Sequence, residues 1–155
     1  MNTNQPSPSK RTVQTTSGRI AYIEQGNGPV ALFVHGVLLN GYLWRHQLTH
    51  LSDVRRCIAV DLLAHGDTEI GPDQDVSVTA NARMLAEFLD ALSIDQVDVV
   101  GTDSGGGIAQ IFAASHPGTR SESHAHRLRR ARQLAARRLQ AVPCDGSERR
   151  VVCHA

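Results

Sequence analysis

The chain has 155 residues, 41% of them apolar, enough to build one ordinary domain with a core. Its net charge of +1 hides a division: residues 1–119 carry seven Lys/Arg against twelve Asp/Glu, and residues 120–155 carry nine against three. No apolar run approaches the roughly 18 residues of a membrane span, the N-terminus lacks a basic-then-apolar leader, and three cysteines (Cys57, Cys144, Cys153) make no disulfide framework, so a reduced, cytoplasmic protein is expected.

Residues 1–10, with Pro6 and Pro8 among Ser, Thr and Asn, predict a disordered lead-in. Residues 12–16 and 19–24 alternate around Ser17-Gly18 and predict a hairpin. After the Gly26-Asn27-Gly28-Pro29 turn, Val30-Ala31-Leu32-Phe33-Val34 is a continuous apolar run suited to a strand covered on both faces, and it ends in His35-Gly36. Leu43, Trp44, Gln47, Leu48 and Leu51 have helical spacing, and residues 55–60 form a further strand that stops at Asp61. A loop with His65-Gly66-Asp67 leads to a helix over residues 78–92, whose Met84, Leu85, Phe88, Leu89 and Leu92 share one face. Residues 96–100 form the next strand and residues 105–115 the next helix. Strand and helix alternate from Val30 onward, which predicts an α/β fold with a parallel sheet. Such sheets bind ligands beyond the carboxyl ends of their strands, where His35-Gly36, Asp61 and Asp103 all fall.

The stretch that joins the last strand and helix, Gly101-Thr102-Asp103-Ser104-Gly105-Gly106-Gly107, is a sharp strand–turn–helix. It resembles the nucleophile elbow, in which small residues two before and two after the nucleophile permit a strained backbone. With Gly101 and Gly105 as the small pair and Gly106 following, the nucleophile position is Asp103. The register shifted by one presents Ser104, at the expense of placing Thr102 where a minimal side chain is wanted.

Residues 11–117 as a whole resemble the N-terminal half of an α/β-hydrolase. The resemblance is carried in order by Phe33-Val34-His35-Gly36, Tyr42-Leu43-Trp44-Arg45, Asp61-Leu62-Leu63-Ala64-His65-Gly66, the elbow, and His116-Pro117. An Asp at the nucleophile position and the Gly-Tyr-Leu-Trp-Arg helix start resemble the haloalkane dehalogenase and epoxide hydrolase branch. This chain has Val37 and Ser104 where dehalogenases commonly place halide-binding Asn and Trp, and Leu38 where epoxide hydrolases usually have Pro. The resemblance implies that the backbone N–H groups of Val37 and Ser104 form an oxyanion hole, that His35, Gly36 and Trp44 stand at the substrate site, with His35 more often a structural support of the oxyanion loop in this motif and Trp44 equally a core residue or a pocket wall, and that no metal or cofactor takes part. A carboxylate nucleophile implies displacement at carbon of a small organic substrate through an ester, whereas Ser104 would imply esterase-type acyl transfer.

Family members place the His base, commonly the acid, and the substrate-covering cap after the elbow helix. Here residues 118–155 instead form an Arg-rich tail with no matching pattern, as a slipped reading frame would produce. The expectation is thus a truncated hydrolase domain, inactive alone, with a basic tail that is helical over residues 127–142 or disordered. His124, His126, Cys144, Cys153 and His154 fit no common zinc-finger spacing. A sheet without its later strands would expose an edge and favour self-association. The alternative from another class is a non-catalytic scaffold whose tail binds an acidic partner, although the tail has neither aromatics nor a nucleic-acid module.

Overall fold

The structure is a computed structural model, and it describes residues 10–115 and 150–153. The chain runs β1 (Lys10–Thr15), β2 (Gly18–Gln25), β3 (Val30–Val34), a 3-10 turn (Gly41–Trp44) leading into α1 (Arg45–Leu51), β4 (Arg56–Val60), α2 (Val78–Ala91), β5 (Asp98–Gly101), α3 (Ser104–Ser115) and β6 (Arg150–Cys153). The sheet order is β1-β2-β4-β3-β5-β6. β2 is antiparallel to both β1 and β4, and β4, β3, β5 and β6 are mutually parallel.

The continuous apolar run of β3 needs cover on both sides because strand side chains alternate. Leu32 and Val34 join Ile58, Val60 and Val99 beneath α2 and α3, where Met84, Leu85, Phe88, Leu89, Ile108 and Phe112 close one core. Ala31 and Phe33 face the other way with Cys57 and Ala59, under Trp44 and Leu48. Both helical layers start on polar caps: Asn40 accepts from the Tyr42 N–H at 3.0 Å, and Ser77 accepts from the Ala80 N–H at 3.1 Å.

β1 begins at Lys10, a residue that the sequence placed in the lead-in. That residue makes a long-range ion pair. Lys10 Nζ lies 2.7 Å from an oxygen of Asp61, a carboxylate with no exposed surface, and 2.5 Å from Asp67. A second departure concerns the tail, whose residues 150–153 form a strand where helix or disorder was expected. Val151 and Val152 are β-branched, and they pair with Val99 and Val100 along an edge of β5 that would otherwise leave backbone groups unmet. The open edge expected beside β5 is therefore covered. The helix expected over residues 127–142 lies outside the described residues.

Burial by itself would lower the pKa of Lys10, but its hydrogen bonds and attraction to Asp61 and Asp67 overcome this and raise it. A lysine whose pKa is raised on folding stabilises at every pH below the ordinary lysine range, and that contribution fades as pH climbs through its folded value. Lys10→Met should therefore cost about 1–3 kcal/mol near neutral pH in chemical denaturation, with the gap to wild type closing only in strong alkali.

Candidate active site

Three loops meet at the carboxyl ends of the parallel strands, one each after β3, β4 and β5. The elbow after β5 is shaped by close packing. A Cβ on Gly105 would stand 2.4 Å from the His35 carbonyl oxygen and 2.5 Å from that of Val34, and one on Gly101 would stand 2.5 Å from the Gly105 carbonyl oxygen. Only glycine fits at either position. Gly106 differs: a Cβ there would meet nothing closer than 3.7 Å, an ordinary contact, so its grouping with the obligatory elbow glycines does not hold.

Between the two crowded glycines, Asp103 adopts φ +53° and is exposed. A non-glycine residue in this left-handed region costs of order 1–3 kcal/mol, and such strain gathers at functional sites. One carboxylate oxygen of Asp103, Oδ2, accepts the Val37 N–H at 3.2 Å. Gly36 permits the approach, since a Cβ on it would lie 2.6 Å from that same oxygen. Ser104 begins α3, so its N–H belongs to the first turn, where amides lack helical partners and the helix dipole favours negative charge.

Of the two readings the sequence left for His35, a place at the substrate site and a structural support of the loop, the structure favours the support. His35 has no exposed surface, and both ring nitrogens are engaged by backbone. Nε2 accepts the Leu62 N–H at 3.0 Å, so Nδ1 must carry the proton, and it donates to the Gly36 carbonyl at 2.8 Å. Trp44 likewise belongs to the core beneath α1, 7% exposed with its ring centroid 5.2 Å from that of Phe33. Gly36 remains directly against Asp103.

Asp61 ties the loops together. Its carboxylate accepts the Gly41 N–H at 2.6 Å from the β3 loop and the Asp67 N–H at 2.9 Å from the β4 loop, besides the Lys10 ammonium. Gly66, with φ +55°, is the turn this requires, since a Cβ there would stand 2.0 Å from Asp61 Oδ2. The sequence identified Asp61 as a loop stabiliser. It did not reveal Lys10, Gly41 or the backbone of Leu38, because nothing in their local spacing points across the sheet. Among the described residues, no group of three His, Cys, Asp or Glu is arranged to hold a metal ion, and no helix is long and apolar enough to cross a membrane.

This geometry agrees with the comparisons. A family model described as alpha/beta hydrolase fold matches residues 29–123, and the chain belongs to that family. It is 35% identical over 111 residues to a haloalkane dehalogenase of Mesorhizobium japonicum, covering 71% of this chain and 36% of that protein. It is 40% identical over 109 residues to epoxide hydrolase 2 of Siraitia grosvenorii, covering 68% and 34%. Among solved structures, an epoxide hydrolase from Vigna radiata superposes with a TM-score of 0.68 at 29% identity over 74% of this chain and 39% of that one. An epoxide hydrolase from an endophytic Streptomyces gives 0.68 at 34% identity, over 73% and 35%. The chain spans little more than a third of the length of these relatives.

The glycine geometry sets a contrast within one helix. Gly107 has nothing within 4 Å of a Cβ, so Gly107→Ala should stabilise by about 0.5–1 kcal/mol through helix propensity, whereas Gly105→Ala should destabilise by several-fold more in thermal or urea unfolding. Burial foremost, assisted by the nearby His65 ring and Lys10, holds the His35 pKa below its ordinary value against the opposing Gly36 hydrogen bond. An imidazole kept neutral by the fold takes up its proton more readily when unfolded, so acid below the ordinary histidine range should erode stability. The His35 ring resonances should stay unchanged in the folded protein where a free histidine titrates; an ordinary midpoint would contradict the assignment.

Proposed function

We propose that this site is that of a hydrolase which attacks an electrophilic sp³ carbon, in a small epoxide or alkyl halide, with Asp103 as nucleophile. The observation that carries the reading is the Asp103 carboxylate itself. It is exposed, set on a strained corner between two obligatory glycines, and has one oxygen on the Val37 N–H. The names of the relatives, haloalkane dehalogenase and epoxide hydrolase, support the substrate class.

With Oδ2 held by Val37, the other oxygen, Oδ1, is the attacking atom. It forms a C–O bond to the substrate while the carbon–halogen or ring C–O bond breaks, and the electron pair leaves on halide or alkoxide. The product is an ester at Asp103 whose carbonyl oxygen retains the place of Oδ2. Water then adds to Cγ, and the charge that develops on that oxygen is met by the Val37 and Ser104 N–H groups at the start of α3. Ester formation needs no proton transfer to the nucleophile, but hydrolysis needs a base to activate water. His35 and His65 have both ring nitrogens committed to backbone groups, so neither serves as that base in this arrangement. On this reading the hydrolase part comprises β1 through α3, and neither His35 nor His65 turns the ester over.

Incubation of the full chain with a small epoxide should add the epoxide's mass to the peptide containing Asp103, and incubation with a bromoalkane should add the bromoalkane's mass less that of hydrogen bromide. The adduct should be lost in Asp103→Ala and kept in Ser104→Ala. A fluorophosphonate that labels Ser104, with no alkylation of Asp103, would replace this reading with the serine esterase one.

A further inference from the structure

Four non-glycine residues among those described have positive φ, and three of them, Leu38 (+61°), Ala64 (+60°) and Asp103 (+53°), stand in the three loops of the site. Leu38 is also 90% exposed, so no packing of its side chain explains why the β3 loop keeps this conformation. The loop is closed locally by the Leu39 N–H, which donates to the Gly36 carbonyl at 3.4 Å with Leu38 as the third residue of the turn, and it is held from outside by a contact across the site. The Leu38 N–H donates to His65 Nε2 at 3.4 Å, and His65 Nδ1 donates to the Leu63 carbonyl at 2.9 Å. As in His35, these partners fix the tautomer: a carbonyl can only accept, so Nδ1 carries the proton and Nε2 is the acceptor. The β4 loop is anchored behind the ring by Asp61, whose carboxylate accepts the Asp67 N–H, and the His35 and His65 ring centroids are 5.3 Å apart.

Leu38 immediately follows Val37, so the two N–H groups lie in adjacent peptide planes hinged at the Val37 Cα, and fixing the second plane restrains the first through only two dihedrals. From this geometry we propose that His65 is a positioning residue: by holding the Leu38 amide it keeps the preceding Val37 N–H aimed at the Asp103 carboxylate. The inference deepens the reading of Asp103 as nucleophile and rests on it for its chemical consequence, though not for its structural one. His65 thereby links the loop after β4 to the loop after β3, and Val37 links that loop to the elbow after β5. Because the ring acts through Leu38 and touches no reacting atom, its removal should impair alignment of the carboxylate without altering the nucleophile.

The test uses the full-length chain and two substitutions. His65→Phe keeps the ring's bulk and removes the acceptor, while His65→Gln places an amide oxygen within reach of the Nε2 position. Hydrogen exchange of the Leu38 amide should be about five-fold faster or more in His65→Phe, as loss of one ordinary hydrogen bond implies, and near wild type in His65→Gln. The rate of Asp103 alkylation by a small epoxide should follow the same order, falling in the Phe variant and returning in the Gln variant. Unchanged Leu38 exchange in His65→Phe, with the fold intact by circular dichroism, would overturn the positioning role. A released Leu38 amide with unchanged alkylation would overturn the coupling to Val37. If Asp103 is alkylated in none of the proteins, the nucleophile reading fails, while the exchange data still decide whether His65 holds the loop. Should His65→Phe not fold, His65→Gln alone decides: wild-type exchange and alkylation support the role, and a released Leu38 amide in that variant overturns it.

Discussion

The arrangement of the site depends on how closely the first turn of α3 approaches the end of β3. Gly105 brings helix backbone against the carbonyls of Val34 and His35 at a distance no side chain tolerates. Gly101 folds the chain back on itself within the same few ångströms. With the exit of β5 and the entry of α3 both fixed, the intervening residues must take a corner, and Asp103 is driven into the left-handed region. Its carboxylate then lies beside Gly36, which has no Cβ to block it. Strain in Asp103 is offset by helix and strand packing, since Ile108, Ala109 and Phe112 bury the inner face of α3 on Val34 and Val99.

A second constraint is the buried carboxylate of Asp61. Removing such a group from water is costly unless its oxygens are met, and here they accept two backbone N–H groups and a lysine ammonium. Each partner comes from a different segment: Gly41 from the loop after β3, Asp67 from the loop after β4, and Lys10 from the outermost strand. The need to satisfy one charge thus holds three pieces of chain together. His35 repeats the arrangement with a neutral group, joining the Leu62 amide to the Gly36 carbonyl. A rigid floor results, and the strained loops are set on it.

Features with a local signature were legible in the sequence. The apolar run of β3, the one-sided face of α2 and the glycine pair around Asp103 each encode their structure within a few residues. The turn between β5 and α3 could be placed because the two glycines that spacing picks out, Gly101 and Gly105, are those crowded by backbone. Adjacent glycines were harder to distinguish, as Gly105, Gly106 and Gly107 look alike in sequence while only the first is pressed against another backbone. Lys10 could not be read, because its partner lies 51 residues away and a lysine at the start of a strand is ordinarily solvated. Trp44 and His35 show a different limit: a side chain that suits a pocket also suits a core, and burial decides. For Trp44, contact with Phe33 and Leu48 settles the matter, and for His35 the two backbone partners do. The strand at residues 150–153 was hidden by the arginines before it, which draw attention to charge and away from Val151 and Val152.

Two chemical steps make different demands on such a site. Forming an ester at a carboxylate needs a clear approach and a donor to hold the second oxygen, and on the proposed reading Asp103, Gly36 and Val37 are the residues that meet these needs. Cleaving the ester needs a further group that takes a proton from water, which must reach Cγ from the solvent side. The described histidines nearest the loops cannot do both that and their present work, because withdrawing either ring nitrogen would release a backbone group on which the loop conformation depends. The scaffold therefore separates holding from proton transfer. On the proposed reading, His35 and His65 serve to hold the loops around Asp103, and neither is the base that activates water. The floor beside Asp103 is built from backbone contacts and glycines, and it leaves the exposed side of that carboxylate free of them.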